Sequence, residues 1–432
     1  MTRPHIVIIG AGFAGYHAAR RLSRLASGKA DITVINPTDY FLYLPLLPEV
    51  AGGILDPRQV TIPLADTLPE VKPLLGEVTA VDPNQRRVHY HDPEGRCASV
   101  GYDRLLLTAG SVNKLLPIPG VADNAHGFRG LPEALYLRDH LIRQVELAAT
   151  SDDPADRAAR MTFVVVGAGY TGTEVTAQGQ LLTAHLAARH PGLAQQPRWL
   201  LVDHGDRILA HLDRRLSDAA TAVLNQRGVE VRTGTSITAA TSDGVHIGEQ
   251  FVASRTLLWC VGVRPDPLVT ATGLRLEQGR IAVDAFLRVP GHPRIYACGD
   301  AAAVPDLTRP GKLTAKTAQH AQRQGVRAAG NIAADYGIGR RRPYRHASLG
   351  FAVDLGGANA AANPLGLPLH GLPAVAMTRG YHLASLPANR ARVAAAWLFA
   401  AAGSRPDTQL GLVPASAVPL DTATPEVAHA DS

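Results

Sequence analysis

The sequence has few cysteines, and none of them are paired in a recognisable motif. Its 432 residues include three, Cys97, Cys260 and Cys298, which are odd in number and far apart. This spacing excludes a CxxC redox dithiol and argues against a zinc site. We therefore expect reduced thiols, a cytoplasmic protein and no bound metal.

A long hydrophobic run and a basic stripe are also missing. The apolar stretch from Val393 to Ala402 is far shorter than the about 20 residues that cross a bilayer. The net charge is only +6, the arginines are scattered and aromatic residues make up 5%, which argues against nucleic-acid binding. Weak attraction to an anionic membrane is expected instead. A strand begins at His5, so we expect no signal peptide.

The first motif that carries chemistry is a glycine loop near the start of the chain. An aliphatic run, Ile6 to Ile9, precedes Gly10, Gly12 and Gly15, and an Ala/Arg/Leu-rich helix follows to about Ala26. This is GxGxxG between a strand and a helix, the pattern that brings a dinucleotide pyrophosphate to a helix N-terminus. A second predicted strand ends at Asn36, where an acid usually binds the ribose. Asn36 accepts a hydrogen bond without the charge.

The same pattern returns later in the chain. The strand Phe163 to Val166 precedes Gly167, Gly169 and Gly172, and the next strand ends at Asp203. Here the acid is present, and its charge favours the ribose 2′-hydroxyl of NADH over the 2′-phosphate of NADPH. Two such motifs in one chain predict an α/β fold with two Rossmann-like dinucleotide-binding domains.

Two further predicted strands end in residues suited to the same architecture. One ends in Thr108 and Gly110, and the other runs from Ile295 into Gly299 and Asp300. An aspartate just beyond a strand can accept a hydrogen bond from a ribityl hydroxyl. The alternative for Asp300 is a plain helix N-cap, and one side chain can serve both roles.

Taken together, these residues resemble the two-dinucleotide-fold flavoprotein reductases and, among them, the type II NADH:quinone oxidoreductases. The likeness covers residues 5 to 335 best. Its matching segments are Asn36 to Gly53, Tyr102 to Ser111, Gly167 to Glu174, Leu257 to Pro267, Ile295 to Ala301 and Thr317 to Gly325. The resemblance implies an NAD domain inserted into a discontinuous FAD domain, and an enzyme that takes hydride from NADH and passes two electrons to a quinone.

The resemblance also implies a set of cofactor-binding residues. Those for FAD are Gly10, Gly12, Gly15, Asn36, Thr108, Gly110, Asp300, Ala318 and Gln319, and those for NADH are Gly167, Gly169, Gly172, Asp203 and Gly262.

Three residues are implied as catalytic. Glu174 matches an acid near the nicotinamide, and its alternative role is to complement the helix dipole. Gln319 and Arg323 match the start of a helix that contacts the flavin and the quinone. Arg323 is a departure from the family pattern, because many members carry a second glutamine at this position. Asn36 and the order Thr108-Ala109-Gly110 are the other departures, and backbone contacts should preserve FAD binding there.

The expected domains are residues 1–118 and 287–342 for FAD, 119–286 for NAD, 343–403 for a C-terminal α+β region and 404–432 for a flexible tail. The C-terminal region is expected as helical pieces interrupted at Pro387. Its larger groups are Tyr381, His382, Leu386, Trp397, Leu398 and Phe399, flanked by Arg379, Arg390 and Arg392. This pattern favours docking on the inner face of the cell membrane. Packing on the FAD domain or against a second subunit, as in a homodimer, is the alternative.

Two other functions are compatible with the motifs. The first is an NADH-dependent reductase with another acceptor: a specialised metabolite, a small redox protein or oxygen. The second is a flavin-dependent NADH sensor or scaffold whose turnover is incidental. A sulfide:quinone or disulfide reductase is disfavoured because the sequence shows no suitably placed cysteine pair.

Overall fold

The computed structural model describes residues 3–193, 195–346, 349–404 and 408–420. The chain forms two compact units, each assembled from separated segments. The first unit comprises Met1–Leu42, Thr61–Val112 and Arg264–Ala347. The second comprises Tyr43–Val60, Asn113–Val263 and Ser348–Ser432.

The first unit is built on a five-stranded sheet in which all neighbours are parallel. Its strands, in spatial order, are Ile295–Ala297, Arg104–Leu107, His5–Ile9, Asp31–Asn36 and Lys72–Leu75. The aliphatic runs predicted as strands are buried on both faces, as a central parallel strand requires. Their carboxyl ends therefore lie along one edge of the sheet.

Two helices of the first unit, Phe13–Leu25 and Ala318–Ala334, pack closely against each other. A side chain at Gly325 would overlap the carbonyl oxygen of Ala14, so glycine permits this approach. The remaining elements of this unit are short. They are the strands Tyr40–Leu42, Thr61–Pro63, Glu77–Asp82, Arg87–His91, Cys97–Gly101, Leu276–Glu277, Arg280–Ala282 and Ala302–Ala303, the helices Leu64–Thr67 and Leu268–Ala271, and the 3₁₀ turn Gly299–Ala301.

The second unit has its own five-stranded parallel sheet. Its strands, in spatial order, are His126–Gly127, Thr256–Trp259, Thr162–Val166, Arg198–Val202 and Val229–Arg232. The Phe163 and Trp199 rings stack with centroids 4.8 Å apart. Gly179 makes room for the Trp199 indole, since a Cβ at that glycine would overlap the ring.

Further elements surround the second sheet. The helices are Leu47–Ala51, Pro57–Val60, Val121–Asn124, Leu131–Thr150, Pro154–Arg160, Tyr170–Ala187, Arg214–Gln226, Leu372–Ser385 and Arg390–Ala401, with 3₁₀ turns at Leu44–Leu46, Pro364–Gly366 and Ala415–Ala417. The strands are Ile237–Thr241, Gly244–Ile247, Gln250–Ala253, Ala352–Asp354, Ala360–Ala362 and Leu369–His370. Two short strands, Ser111–Asn113 and Val263–Pro265, fall where the chain leaves one unit for the other. Among the helices of the described ranges, none is long and apolar enough to cross a membrane.

Residues 408–420 differ from the tail expected there. The backbone N–H groups of Leu410 and Gly411 donate to the Asp139 carboxylate at 3.0 and 2.6 Å. Leu420 is only 2% exposed and belongs to the hydrophobic core of the second unit. The bonds to the buried Asp139 carboxylate and the burial of Leu420 hold residues 408–420 in place, although their composition alone suggests a loose chain. The rest of the expected tail, 405–407 and 421–432, lies outside the described residues.

Candidate cofactor and acceptor sites

The first glycine loop, residues 10–15, connects a central strand to a helix. The Gly10 N–H donates to the Ile35 carbonyl at 2.8 Å, which ties the loop to the neighbouring strand. A side chain at Gly15 would overlap the carbonyl oxygen of Gly10, so this glycine is required by the fold. At Gly12, by contrast, no protein atom lies within 4 Å of the position that a Cβ would take. The fold therefore leaves open space beside Gly12, at the start of the helix Phe13–Leu25.

Asn36 holds this loop through both ends of its amide. Its oxygen accepts from the Ala11 N–H at 2.8 Å, and its nitrogen donates to the Thr38 carbonyl oxygen at 2.9 Å. A carboxylate could make the first bond but not the second, because it has no proton to donate. This is a local reason for asparagine at a position that is usually acidic.

The neighbouring strand ends complete the edge of the sheet. Thr108 Oγ1 donates to the Ile9 carbonyl at 2.6 Å and to that of Gly10 at 3.0 Å, so this residue supports the glycine loop. Asp300 lies inside the turn Gly299–Ala301 and accepts a hydrogen bond from Ser111 Oγ at 2.6 Å. It is therefore not a helix N-cap.

The helix Ala318–Ala334 starts beyond this edge and carries both predicted acceptor residues. Thr317 caps it by accepting from the His320 N–H at 3.3 Å. Gln319 and Arg323 follow one helical turn apart, and both are half-buried. Arg323 Nη1 donates to Nδ1 of His346 at 2.9 Å. Sequence reasoning missed His346, because nothing in its local pattern marks it.

The second glycine loop, residues 167–172, repeats the geometry of the first. The Gly167 N–H donates to the Val202 carbonyl at 2.8 Å, and a Cβ at Gly172 would overlap the carbonyl oxygen of Gly167. No protein atom lies within 4 Å of a Cβ placed on Gly169, nor of one placed on Gly262. The second unit thus has the same open space beside the middle glycine of its loop.

Asp203 is the acid at the end of the second strand of this unit. Its two oxygens accept from the Ala168 N–H at 2.6 Å and the Gly205 N–H at 2.7 Å. His204 Nδ1 lies 3.5 Å from the same carboxylate, although the imidazole itself is largely exposed. Two backbone N–H groups therefore hold the carboxylate in place just beyond the strand Arg198–Val202.

Glu174 lies in the second turn of the helix Tyr170–Ala187, so it does not complement the dipole at the first turn. Its Oε1 accepts from the Asp354 N–H at 3.0 Å. Glu49 is 3% exposed, and its carboxylate accepts from the Trp397 indole N–H. We call Glu49, Glu174 and Asp354 the acidic cluster.

The acidic cluster holds protons unusually tightly. Burial, and then the charge of Asp354, raises the pKa of Glu49 to about 8. Glu174 keeps some exposure as a residue, but its carboxyl group is buried, and this burial raises its pKa well above the ordinary value. Burial likewise raises the pKa of Asp354. Sequence reasoning singled out Glu174 alone; the available signal for Glu49 was a lone acid within the apolar stretch Leu44–Gly53.

The aromatic and apolar residues expected at the C-terminal surface separate into two groups. His382, Leu386 and Trp397 are buried, and the Tyr43 hydroxyl lies 3.1 Å from His382 Nδ1. Leu398 and Phe399 are 73% and 65% exposed. Tyr381 is half-buried, so Leu398 and Phe399 are the most exposed of the expected docking residues.

The structure holds the three cysteines as free thiols, with Cys97 exposed, Cys260 partly buried and Cys298 buried. Within the described ranges, no group of three or more His, Cys, Asp or Glu side chains has the arrangement of a metal site.

The profile of the pyridine nucleotide-disulphide oxidoreductases matches residues 4–325. The chain belongs to this family. A demethylphylloquinone reductase of Synechocystis is 31% identical over 396 residues, which is 89% of this chain and 93% of that protein. A type II NADH:quinone oxidoreductase of Mycobacterium tuberculosis is 32% identical over 318 residues, or 70% of this chain and 68% of that one.

The fold has a solved counterpart in NDH2 of Plasmodium falciparum, whose structure was determined in complex with NADH. The TM-score is 0.87 at 18% identity, over 94% of this chain and 100% of that chain. Together with the relatives above, this confirms the predicted fold class and the resemblance to type II NADH:quinone oxidoreductases. The family match and the reductase and oxidoreductase relatives also confirm the expected enzyme class, an oxidoreductase that uses a pyridine nucleotide. The roles of individual residues and the domain bounds stay predictions.

Proposed function

We propose that the first unit binds FAD, that the second binds NADH, and that the chain passes two electrons from NADH to a quinone. The observation that carries this proposal is the repeated open space beside Gly12 and Gly169, each at the start of a helix. A pyrophosphate fits such a space, because the backbone can approach it closely and the helix N-terminus favours its charge.

In the first unit, the residues at the edge of the sheet fit the flavin dinucleotide. The backbone beside Gly12 would hold the pyrophosphate, and the second lone pair of the Asn36 oxygen would accept from a ribose hydroxyl. Asp300, fixed by Ser111, would accept from the ribityl chain. When bound, FAD supplies the two-electron redox chemistry that links NADH to the quinone.

In the second unit, Asp203 would select the nicotinamide cofactor. Its carboxylate is held by two backbone N–H groups and can accept hydrogen bonds from ribose hydroxyls. A 2′-phosphate at the same place would meet a negative charge, which favours NADH over NADPH.

The overall reaction consumes one proton, since NADH and a quinone yield NAD⁺ and a quinol only when a proton is taken up. We assign the acidic cluster as a group that stays protonated within the second unit at neutral pH. The evidence is Glu49: burial and the charge of Asp354 raise its pKa to about 8, so that it is largely protonated at neutral pH.

On the acceptor side, we assign Gln319 and Arg323 to the quinone. A quinone oxygen gains negative charge as it is reduced, and a positioned guanidinium stabilises that charge. Arg323 is half-buried and hydrogen-bonded, which limits its hydration and its motion.

We further propose that Leu398 and Phe399 dock on the surface of an anionic membrane. They lie on the helix Arg390–Ala401, which has two arginines in its first turn, and an exposed apolar pair on such a helix suits the interface of an anionic membrane. Phe399→Asp should reduce sedimentation with anionic lipid vesicles, whereas Phe251→Asp, at another exposed phenylalanine of the second unit, should not. If Phe399→Asp instead splits a homodimer in light scattering and leaves vesicle binding intact, the surface joins two copies of the chain.

The proposed function is tested by a panel of acceptors: menaquinone and ubiquinone analogues beside oxygen alone. Fast NADH oxidation that depends on a quinone supports it. If NADH is oxidised equally fast with and without quinones, the chain is instead a reductase that uses another acceptor. If NADH does not reduce the bound flavin, the remaining function is that of an NADH sensor or scaffold.

A further inference from the structure

Two histidines, a tyrosine and Arg323 form a cluster in the first unit that the proposed function does not yet explain. Arg323 Nη1 donates to Nδ1 of His346 at 2.9 Å, and His320 Nδ1 lies 2.8 Å from the Tyr344 hydroxyl. The two imidazole rings are close, with centroids 3.9 Å apart. We call these four residues the histidine cluster. Its members come from the helix Ala318–Ala334 and from the segment that follows it.

The hydrogen bond from Arg323 fixes the protonation state of His346. A guanidinium is always a donor, so Nδ1 of His346 must offer its lone pair. The imidazole is then neutral, with its proton on Nε2. A doubly protonated His346 would have no lone pair for Arg323 and would repel its charge.

The surroundings of His346 favour this neutral form. Burial, followed by the charge of Arg323, lowers the pKa of His346, with a smaller lowering effect from Arg309. Asp306 acts in the opposite direction. The Tyr344 hydroxyl lies 3.4 Å from Nδ1 of His346 and is itself a neutral group at physiological pH.

His320 does not add a positive charge to the cluster. Burial, followed by the neighbouring His346, lowers the pKa of His320 to about 4. Arg323 therefore remains the charged member of the histidine cluster at neutral pH.

We propose that His346 is a positioning residue for the acceptor half-reaction, and that its Nδ1 holds the Arg323 guanidinium in the orientation that stabilises charge on the quinone oxygen. This inference rests on the proposed function of Arg323. An arginine side chain has many rotamers, and a fixed partner removes the cost of selecting one of them during the reaction. The benefit should therefore be found in kcat more than in KM.

The arrangement makes the acceptor half-reaction sensitive to acid. As the pH falls through the lowered pKa of His346, the imidazole takes up a proton and the hydrogen bond from Arg323 is lost. The rate of quinone reduction should then fall, while reduction of the bound flavin by NADH should not follow the same titration.

Two substitutions separate positioning from packing. His346→Gln keeps a side-chain oxygen that can accept from Arg323 and does not titrate, whereas His346→Leu keeps bulk without an acceptor. In holoenzyme, His346→Leu should lower kcat/KM for a short-chain quinone about tenfold, or about 1.4 kcal/mol. His346→Gln should keep most of the rate of quinone reduction, and the decline of that rate at acid pH, the acid limb of the pH–rate profile, should become flatter. His89→Gln, at an exposed histidine of the same unit, controls for loss of a histidine.

Equal losses in both His346 variants, with the acid limb retained, would show that His346 only packs. A second measurement is independent of turnover: histidine-selective ¹⁵N NMR of the holoenzyme should show His346 as the Nε2–H tautomer. A proton on Nδ1 would overturn the inference while leaving the proposed function standing. Conversely, absence of any quinone reaction in the wild type removes the proposed function, and the tautomer still reports whether the hydrogen bond exists.

Discussion

Asn36 and Asp203 make the same hydrogen bond in the two units. Each side-chain oxygen accepts from the backbone N–H of the second residue of its glycine loop, Ala11 at 2.8 Å and Ala168 at 2.6 Å. One position is neutral and the other charged, although the loops share their geometry. The shared bond supports the loop in both units, and we expect the additional charge of Asp203 to distinguish NADH from NADPH.

The first prediction distinguishes two glycines of the first loop: Gly15, which the fold requires, and Gly12, which we expect to lie against the pyrophosphate of FAD. Gly12→Val should fold normally, since no protein atom lies near its Cβ, but should lose FAD because the side chain fills the space for the pyrophosphate. Gly15→Ala should instead prevent folding, because its Cβ overlaps a backbone oxygen. Circular dichroism and the flavin released per chain measure the two effects. A Gly12→Val protein that retains about one FAD per chain would place the cofactor elsewhere.

The second prediction concerns the nicotinamide cofactor. The wild type should have a kcat/KM for NADH at least about tenfold above that for NADPH, roughly 1.4 kcal/mol of transition-state binding. Asp203→Asn should narrow this gap while keeping the bond to Ala168, as Asn36 does in the first unit. Asp203→Ala should weaken NADH further, because it also frees two backbone N–H groups. Equal use of NADH and NADPH by the wild type would show that Asp203 does not select the cofactor.

The third prediction follows from the raised pKa of Glu49. Because the folded pKa, about 8, exceeds the ordinary value of a glutamate, the folded state binds more protons than the unfolded state at intermediate pH. Protonated Glu49 therefore contributes fully to the stability of the folded state at acid pH, and this contribution is lost as the pH rises towards about 8. Glu49→Gln, which can still accept from Trp397, should increase the free energy of unfolding at alkaline pH by roughly 1 to 3 kcal/mol.

Urea unfolding of the holoenzyme at about pH 5 and about pH 9 checks this sign. Glu77→Gln, at an exposed glutamate of the first unit, is the matched control and should change neither midpoint. If Glu49→Gln proves equally destabilising at both values, the carboxyl group is not held in its protonated form.

The sequence predicts the two sheets and their glycine loops because these features are local. An aliphatic run followed by GxGxxG specifies a buried strand, a tight turn and a helix within about 20 residues. The strands His5–Ile9 and Thr162–Val166 accordingly lie where the runs of Ile and Val predict them. One C-terminal helix ends at Ser385 and the next begins at Arg390, so the interruption falls around Pro387, as expected.

The acidic and histidine clusters could not be predicted in the same way. Asp354 meets Glu174 across 180 residues of sequence, and Trp397 meets Glu49 across 348. Such contacts depend on how distant segments pack, and no periodicity or spacing in a single sequence encodes them. The same holds for residues 408–420, whose composition conceals a buried leucine at position 420.

The fourth prediction concerns Arg323 and separates the two half-reactions. Arg323→Ala should slow reoxidation of the flavin by quinone, because a positive charge that stabilises the developing anion is removed. The half-reaction with NADH should keep its rate. Arg323→Lys should recover only part of the loss, since an ammonium group lacks the planar fork that bonds to His346. If flavin reoxidation is unaffected by Arg323→Ala, the quinone binds elsewhere.

Anaerobic stopped-flow with the wild type shows whether the reduced enzyme delivers its electrons to a quinone. The bound flavin is first bleached with one equivalent of NADH and then mixed either with a menaquinone analogue or with oxygenated buffer. Flavin absorbance should return much faster with the quinone than with oxygen. If no menaquinone or ubiquinone analogue restores the absorbance faster than dissolved oxygen does, the quinone assignment is contradicted.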